Sequence, residues 1–212
     1  MARILITSGP TRQYLDPVRY LTNASSGRMG AALAQAALDL GHDVTIVSGP
    51  VNIAYAAAAE VIDVVSTEEM LEASRAVFPR CQGLIGVAAP CDYRPIRVAP
   101  GKIVKTGEPL DVHLIETPDI VATLGAEKTG QWLVGFALET DDHRLRALAK
   151  MQKKCCDLMV VNGTEAMHAL DTDVEIIDRR GELIEHAAGT KIEVSHRILA
   201  VIQARLMPAQ KK

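Results

Sequence analysis

A doubly wound α/β domain, its mostly parallel sheet covered by helices on both faces, is predicted by three observations. Short apolar runs closed by glycine, proline or asparagine alternate with longer segments of helical period. Hydrophobic residues make up 48% of the chain but aromatic ones only 3%. The core must therefore be built from Ala, Val, Ile and Leu, as strands buried on both faces require. Finally, 212 residues without a Pro-, Gly- or Ser-rich linker suit one core, so residues 1–212 are expected to form a single domain.

The elements follow in order. Arg3-Ile4-Leu5-Ile6-Thr7-Ser8-Gly9-Pro10 reads as a buried strand running into a turn, and the apolar periodicity of Ala31 to Leu40 as the first helix. Asp43 to Ser48 is a second strand and Val61 to Val65 a third. Ser66 or Thr67 caps a helix with the acidic first turn Glu68-Glu69, ending near Phe78 ahead of Pro79. Gly83 to Ala88 is a fourth strand. Leu110 to Ile115 alternates as an exposed or edge strand would. Pro118 opens a helix with Thr117 as its cap. Trp132 to Ala137 is a strand, Asp141 to Lys153 a helix, and Asp157 to Val161 a strand ending at Asn162-Gly163. Asp173 to Asp178 and Glu182 to His186 flank Arg179-Arg180-Gly181 as a hairpin, and Ser195 to Leu206 closes the fold as a helix. The two alternating segments are candidates for pairing across a subunit interface, or for an antiparallel extension of one subunit's sheet.

A net charge of −3 argues against polynucleotides held by electrostatics. The N-terminus lacks a secretion signal and no run nears the roughly 18 apolar residues of a membrane span, so a cytoplasmic protein is expected. Cys81, Cys91, Cys155 and Cys156 show neither C-x-x-C nor zinc spacing and read as reduced thiols. The six histidines form no local ligand pair.

In a doubly wound sheet the ligand sits outside the carboxyl ends of the strands. There the sequence places Asn23-Ala24-Ser25-Ser26-Gly27-Arg28-Met29-Gly30, which enters the first helix. A helix start presents unpaired N–H groups and partial positive charge, so Ser25, Ser26 and Gly27 form a candidate phosphate cradle; a Ser-rich turn with an ordinary cap is the alternative. Neither G-x-G-x-x-G nor G-x-x-x-x-G-K-[ST] occurs at this strand end, which weakens a dinucleotide reading. Asp92, Tyr93 and Arg94 follow the fourth strand. Asp92 suits a ligand hydroxyl, a base or water-bound Mg²⁺, or else a plain pairing with Arg94. Lys102 and Lys105 fit a triphosphate and its leaving pyrophosphate, or a solvated loop. Lys150 and Lys154, four apart, either compensate a helix C-terminus or reach a bound anion. Phe136 is core or a platform for a nucleobase.

Taken together, Thr7-Ser8-Gly9-Pro10-Thr11-Arg12, Leu15-Asp16-Pro17-Val18-Arg19-Tyr20, Asn23 to Gly30, Asp92-Tyr93-Arg94, Lys102-Ile103-Val104-Lys105, Pro118-Asp119-Ile120-Val121-Ala122 and Val134-Gly135-Phe136-Ala137-Leu138-Glu139-Thr140 resemble phosphopantothenoylcysteine synthetase. That coenzyme A pathway domain is often fused to a flavin-dependent decarboxylase, and the resemblance spans nearly the whole chain. It implies a Rossmann-like fold, a homodimer, and ligation of 4′-phosphopantothenate to cysteine. CTP, with ATP as the alternative, is consumed with Mg²⁺ through an acyl-nucleotide, with CMP and pyrophosphate released from CTP.

By the same resemblance Asn23 contacts the acyl intermediate and helps the second half-reaction, and Lys102, with Asn23 a catalytic candidate, matches a nucleotide-binding position. Ala88 and Ala89 line the intermediate, with Lys105 beside them. Gly86, Val87, Asp92, Glu116, Thr117, Pro118, Asp119, Phe136, Lys150 and Lys154 surround the nucleotide. The chain departs from the family at Lys102-Ile103-Val104-Lys105, where Lys-x-Lys-Lys is common, at Thr117 in place of a frequent asparagine, and at Pro90-Cys91 in place of a small apolar pair. With no decarboxylase ahead of residue 1, no flavin is expected and a decarboxylase partner would be a separate polypeptide. Two other functions fit the α/β pattern alone: a non-catalytic nucleotide- or flavin-binding module, and an NAD(P)-dependent reductase.

Overall fold

The computed structural model describes residues 1–138, 143–162 and 171–207. In chain order the elements are β1 (Arg3–Ser8), β2 (Arg12–Tyr14), β3 (Tyr20–Thr22), α1 (Arg28–Asp39), β4 (Asp43–Ser48), β5 (Glu60–Asp63), α2 (Thr67–Val77), β6 (Gly83–Gly86), β7 (Tyr93–Pro95), β8 (Leu114–Glu116), α3 (Ile120–Glu127), β9 (Trp132–Leu138), α4 (His143–Lys153), β10 (Leu158–Asn162), β11 (Asp171–Asp178), β12 (Leu183–Thr190) and α5 (Lys191–Leu206). Glu139, Thr140, Asp141 and Gly163 lie outside the described residues.

Eight strands form one sheet in the order β12-β11-β10-β9-β6-β1-β4-β5. Neighbours from β10 to β5 pair in parallel, while β11 and β12 add an antiparallel hairpin. Strands buried on both faces explain why β1 and β4 read as continuous apolar runs. One face packs Leu33, Ala34 and Ala37 of α1 and Val194, Ile198 and Ile202 of α5 against Ile4, Ile6, Val134 and Val160. The other packs Met70 and Val77 of α2, Ile120 and Leu124 of α3 and Met151 of α4 against Leu5, Leu84, Leu133 and Met159. Helices on both faces and this strand order establish the doubly wound, Rossmann-like architecture. Among the described residues no helix is long and apolar enough to cross a membrane.

Several boundaries move for physical reasons. α1 begins at Arg28, three residues before the apolar stripe, because Gly27 takes the cap position with φ 74°, a left-handed conformation that favours glycine. Neither Ser25 nor Ser26 caps it: α1 has no side-chain cap. Thr117 is not the cap of α3; Asp119 is, accepting from the Ala122 N–H at 3.0 Å. Residues 110–113 form no strand, and the three-residue β8 pairs with β7 of the same chain. The β11–β12 hairpin likewise extends the chain's own sheet, with Ser66–Glu69 and Thr190–Glu193 capping boxes opening α2 and α5.

Candidate active site

The sheet changes direction between β1 and β6. From β1 the chain winds outward through β4 and β5, then returns to the opposite side of β1 with β6. The loops leaving β1 and β6 meet at this point, at the carboxyl ends of the strands, where a doubly wound sheet holds its ligand. A bridge between Pro10 and Ala89 and the Ala89 N–H donating to Gly9 O at 2.9 Å hold the two loops side by side.

On the β1 side, Ser8 Oγ donates to Gly27 O at 3.3 Å, fastening the entry of α1 to the strand end. A Cβ on Gly30 would stand 2.1 Å from that same Ser8 Oγ, so glycine lets α1 descend onto β1. Ser25 N–H donates to Asn23 O at 2.9 Å, turning the loop ahead of the helix. Asn23 then reaches across, its Nδ2 donating to Pro90 O at 2.8 Å. This bond joins the loop after β1 to the loop after β6, which carries Val87, Ala88, Ala89 and Asp92.

Beneath that loop lies a cleft of about 270 Å³ lined by Gly86, Ala88, Asp92, Glu116, Thr117, Pro118, Asp119, Phe136 and Lys154, together with Thr7, Pro90, Tyr93, Ile120, Val121 and Lys153. The N-terminus of α3 points its free end at this space. Its approach depends on Gly86, where a Cβ would meet Val121 Cγ2 at 2.6 Å. Asp119 serves twice, as the α3 cap and as partner of Lys154, whose Nζ lies 3.1 Å from Asp119 Oδ2. Lys154 follows the last turn of α4 and its N–H still donates to Lys150 O at 2.9 Å. Phe136, half-buried on β9, offers its ring to the cleft rather than serving the core alone. Asp92 does not pair with Arg94, whose guanidinium instead meets Glu68 at 2.9 Å.

Three carboxylates, Asp92, Glu116 and Asp119, thus face two ammonium groups, Lys153 and Lys154. A polyphosphate entering alone would meet no cationic excess. A hard divalent cation carried on the phosphates suits this donor set, since Mg²⁺ commonly takes one or two carboxylates plus phosphate oxygens and waters. Among the described residues no cluster of three or more His, Cys, Asp or Glu forms a self-sufficient metal cage.

Lys102 and Lys105 are not among the residues lining this cleft; both are exposed on the loop between β7 and β8. Lys150 is exposed on α4 and also lies off the lining. What holds the lysine loop is Asp16, fully buried and unassigned from sequence. Its Oδ2 accepts from Ile103 N–H at 3.0 Å and from Arg19 Nη1 at 2.6 Å, and its Oδ1 from the N–H groups of Val18 and Arg19. Arg19 Nη1 also donates to Ile103 O at 3.0 Å. Burial raises the Asp16 carboxyl, but the donors from Ile103, Val18 and Arg19 outweigh it and hold the pKa at about 2. Nothing local to Leu15-Asp16-Pro17 marks a carboxylate whose partner is 87 residues away.

Fold and site define a Rossmann-like α/β domain with a cleft at the carboxyl ends of its strands, between the loop after β6 and the start of α3. Residues 1–206 match the DNA/pantothenate metabolism flavoprotein C-terminal domain, and the chain belongs to that family. It is similar to the coenzyme A biosynthesis bifunctional protein CoaBC of Bacillus subtilis, 40% identical over 206 residues, covering 95% of this chain and 51% of that protein. With the CoaBC protein of Vibrio cholerae it shares 46% over 163 residues, 76% of this chain and 41% of the relative. The chain therefore spans about half the length, or less, of these relatives. The crystal structure of the C-terminal domain of a CoaBC protein superposes with a TM-score of 0.85 at 38% identity, covering 97% of this chain and 96% of that one.

Proposed function

We propose that the chain is a phosphopantothenate–cysteine ligase of coenzyme A biosynthesis. A nucleotide, CTP in preference to ATP, activates the pantothenate carboxylate. The observation that carries this is the Asn23 Nδ2 to Pro90 O bond, which ties the helix-entry loop of β1 to the Asp92-bearing wall of the cleft. Kinship with CoaBC proteins supports the substrates, and the 270 Å³ cleft with its α3 N-terminus supports a phosphate-bearing ligand.

A carboxylate at neutral pH is a poor electrophile, so activation precedes amide formation. The carboxylate attacks the α-phosphate and pyrophosphate leaves; the cysteine amine then attacks the acyl carbonyl and the nucleoside monophosphate leaves. Asp92, Glu116 to Asp119, Phe136 and Lys154 hold the nucleotide. Ser25, Ser26 and Gly27 present the entry of α1 to phosphate. Ala88 and Ala89 leave room for the acyl chain, and Asn23 stands at the loop junction where it forms. Asp92, Glu116 and Asp119 would hold a Mg²⁺ carried on the triphosphate, which would supply positive charge against the phosphate oxygens. Lys102 and Lys105 supply cationic charge from the loop anchored by Asp16, and Lys150 adds its charge from α4.

The exposed apolar residues Ile96, Val98, Val104, Leu110 and Val112 cluster on the excursion from β7 to β8, which supports a homodimer formed through this region. A monomer mass by sedimentation velocity at tens of micromolar would remove the dimer. The activity is tested by mixing the protein with phosphopantothenate, cysteine, Mg²⁺ and CTP or ATP. Expected are pyrophosphate and nucleoside monophosphate in step with amide product. No pyrophosphate with either nucleotide would refute the ligase.

A further inference from the structure

The segment Pro90-Cys91-Asp92 is pinned through its backbone by groups from four separate stretches of chain. Pro90 O accepts from Asn23 Nδ2, and Asp92 O accepts from the Thr117 N–H at 2.9 Å. Between them Cys91 has both of its main-chain groups taken. Its N–H donates to Thr11 Oγ1 at 2.7 Å, while its carbonyl accepts from Thr67 Oγ1 at 3.1 Å and from Thr117 Oγ1 at 2.7 Å. Thr11 Oγ1 and Thr67 Oγ1 are themselves 2.8 Å apart.

A hydroxyl has one proton to give. Thr67 spends its proton on Cys91 O, so between the two hydroxyls Thr11 must be the donor. The hydrogen bonds then run in one direction around a closed ring: Cys91 N–H to Thr11, Thr11 to Thr67, Thr67 to Cys91 O. Thr11 and Thr67 are both fully buried, where such bonds are not exchanged for water and each polarises the next. Their shape needs no hydroxyl to pack: a valine would fill the same space. The two hydroxyls therefore serve the Cys91 backbone, and the side chain that immediately follows is Asp92, which lines the cleft.

We propose that Thr11, acting with Thr67 through this ring, is a positioning residue for the reaction: it fixes the peptide units flanking Cys91 and so sets where the Asp92 carboxylate stands against the nucleotide. The proposal rests on the ligase reading, because nucleotide turnover is what reports it. A carboxylate displaced by about 1 Å can cost up to about a hundredfold in rate, so loss of the ring is visible in kinetics even where the fold survives.

The test compares wild type, Thr11→Val, Thr11→Ser, Asp92→Asn and the double variant Thr11→Val/Asp92→Asn, by kcat/KM for CTP and by CTP affinity from calorimetry. Thr11→Val should lose about tenfold in both, and Thr11→Ser, which restores the hydroxyl, should recover to within about twofold of wild type. In the double variant the loss should match Asp92→Asn alone, because the valine acts through Asp92. Losses that multiply, a Thr11→Val protein equal to wild type, or a serine variant no better than valine would each overturn the proposal. Should Thr11→Val not fold, Thr67→Val breaks the ring while leaving the Cys91 N–H bonded; it should weaken CTP binding, and unchanged binding would overturn the proposal equally. A wild-type chain that releases no pyrophosphate refutes the ligase and removes the basis for this assignment with it. Turnover by wild type together with wild-type behaviour of the valine variants removes this assignment alone.

Discussion

Asn23 works as a bridge, and its amide nitrogen is the part that matters structurally. Replacing it by aspartate exchanges a donor for a carboxylate oxygen facing Pro90 O, now 2.8 Å away, so the two loops repel where they had been joined. The loop carrying Ala88 and Ala89 should then lose its grip on the acyl intermediate more than on the nucleotide. Asn23→Asp is expected to slow amide formation by about tenfold or more relative to nucleotide activation; rapid-quench measurement of the two half-reactions checks this, and equal slowing would count against the role. Asn23 was legible because it sits in a long, distinctive run of small and polar residues. So were Asp92, Glu116, Thr117, Pro118 and Asp119, which the fold brings to one cleft. Thr11 and Asp16 lie in segments that resemble the family, but nothing in those segments marks either as a support. A buried threonine reads as packing and a lone aspartate as a turn, and their partners at Cys91 and Ile103 lie 80 and 87 residues off. Only tertiary structure turns them into supports.

Among the elements, α3 decides how well the cleft is formed, because it contributes Asp119 and Val121 to the wall and is spaced from the sheet by a single glycine. Adding a methyl at Gly86 places a Cβ 2.6 Å from Val121 Cγ2. Valine is stiff about χ1 in a helix, so the rotamer cannot relieve the clash cheaply and the helix itself must move. Gly86→Ala should destabilise the domain by about 1–3 kcal/mol and raise KM for the nucleotide by displacing Asp119. Thermal melts and steady-state kinetics check the pair, and an unchanged KM would show that α3 does not shape the site. The long elements announced themselves in sequence because burial imposes a period. β4 agrees with its apolar run residue for residue, and α2 begins at the capping box its sequence spells. β2, β3 and β7 did not, and β8 did so only in part, through Leu114 and Ile115 of the alternating run. Each is three residues long, too short for a period, and each pairs only with its hairpin-like partner outside the main sheet. Residues 110–113 show the converse, an alternating pattern with no adjacent strand to bind it.

At the scale of the whole molecule the sheet has two ends with different tasks. The carboxyl end holds the cleft, whereas at the opposite end His42 links the residue ahead of β1 to α5. The Ala2 N–H donates to His42 Nδ1 at 3.2 Å, and Nε2 lies 3.0 Å from the Gln203 side-chain amide. Burial lowers the His42 pKa below its ordinary 6.5, the N-terminal ammonium lowers it further, and Asp43 opposes both. A histidine depressed in the folded state binds its proton more readily when unfolded, so folding stability is fully present above pH 6.5 and declines as pH falls below that value. Protonation would also set an N–H at Nδ1 against the Ala2 N–H. Asp16, held at about 2, adds its own loss only much lower, as pH falls from 3.8 toward 2. Urea unfolding of wild type between pH 8 and pH 5 should therefore show stability falling on the acid side, and His42→Gln, which titrates in neither state, should flatten that slope. An equal slope in the glutamine variant would assign the acid sensitivity elsewhere. Because His42 and the cleft lie at opposite ends of the strands, the same substitution should leave KM for the nucleotide unchanged, separating the stability of the sheet from the chemistry it carries.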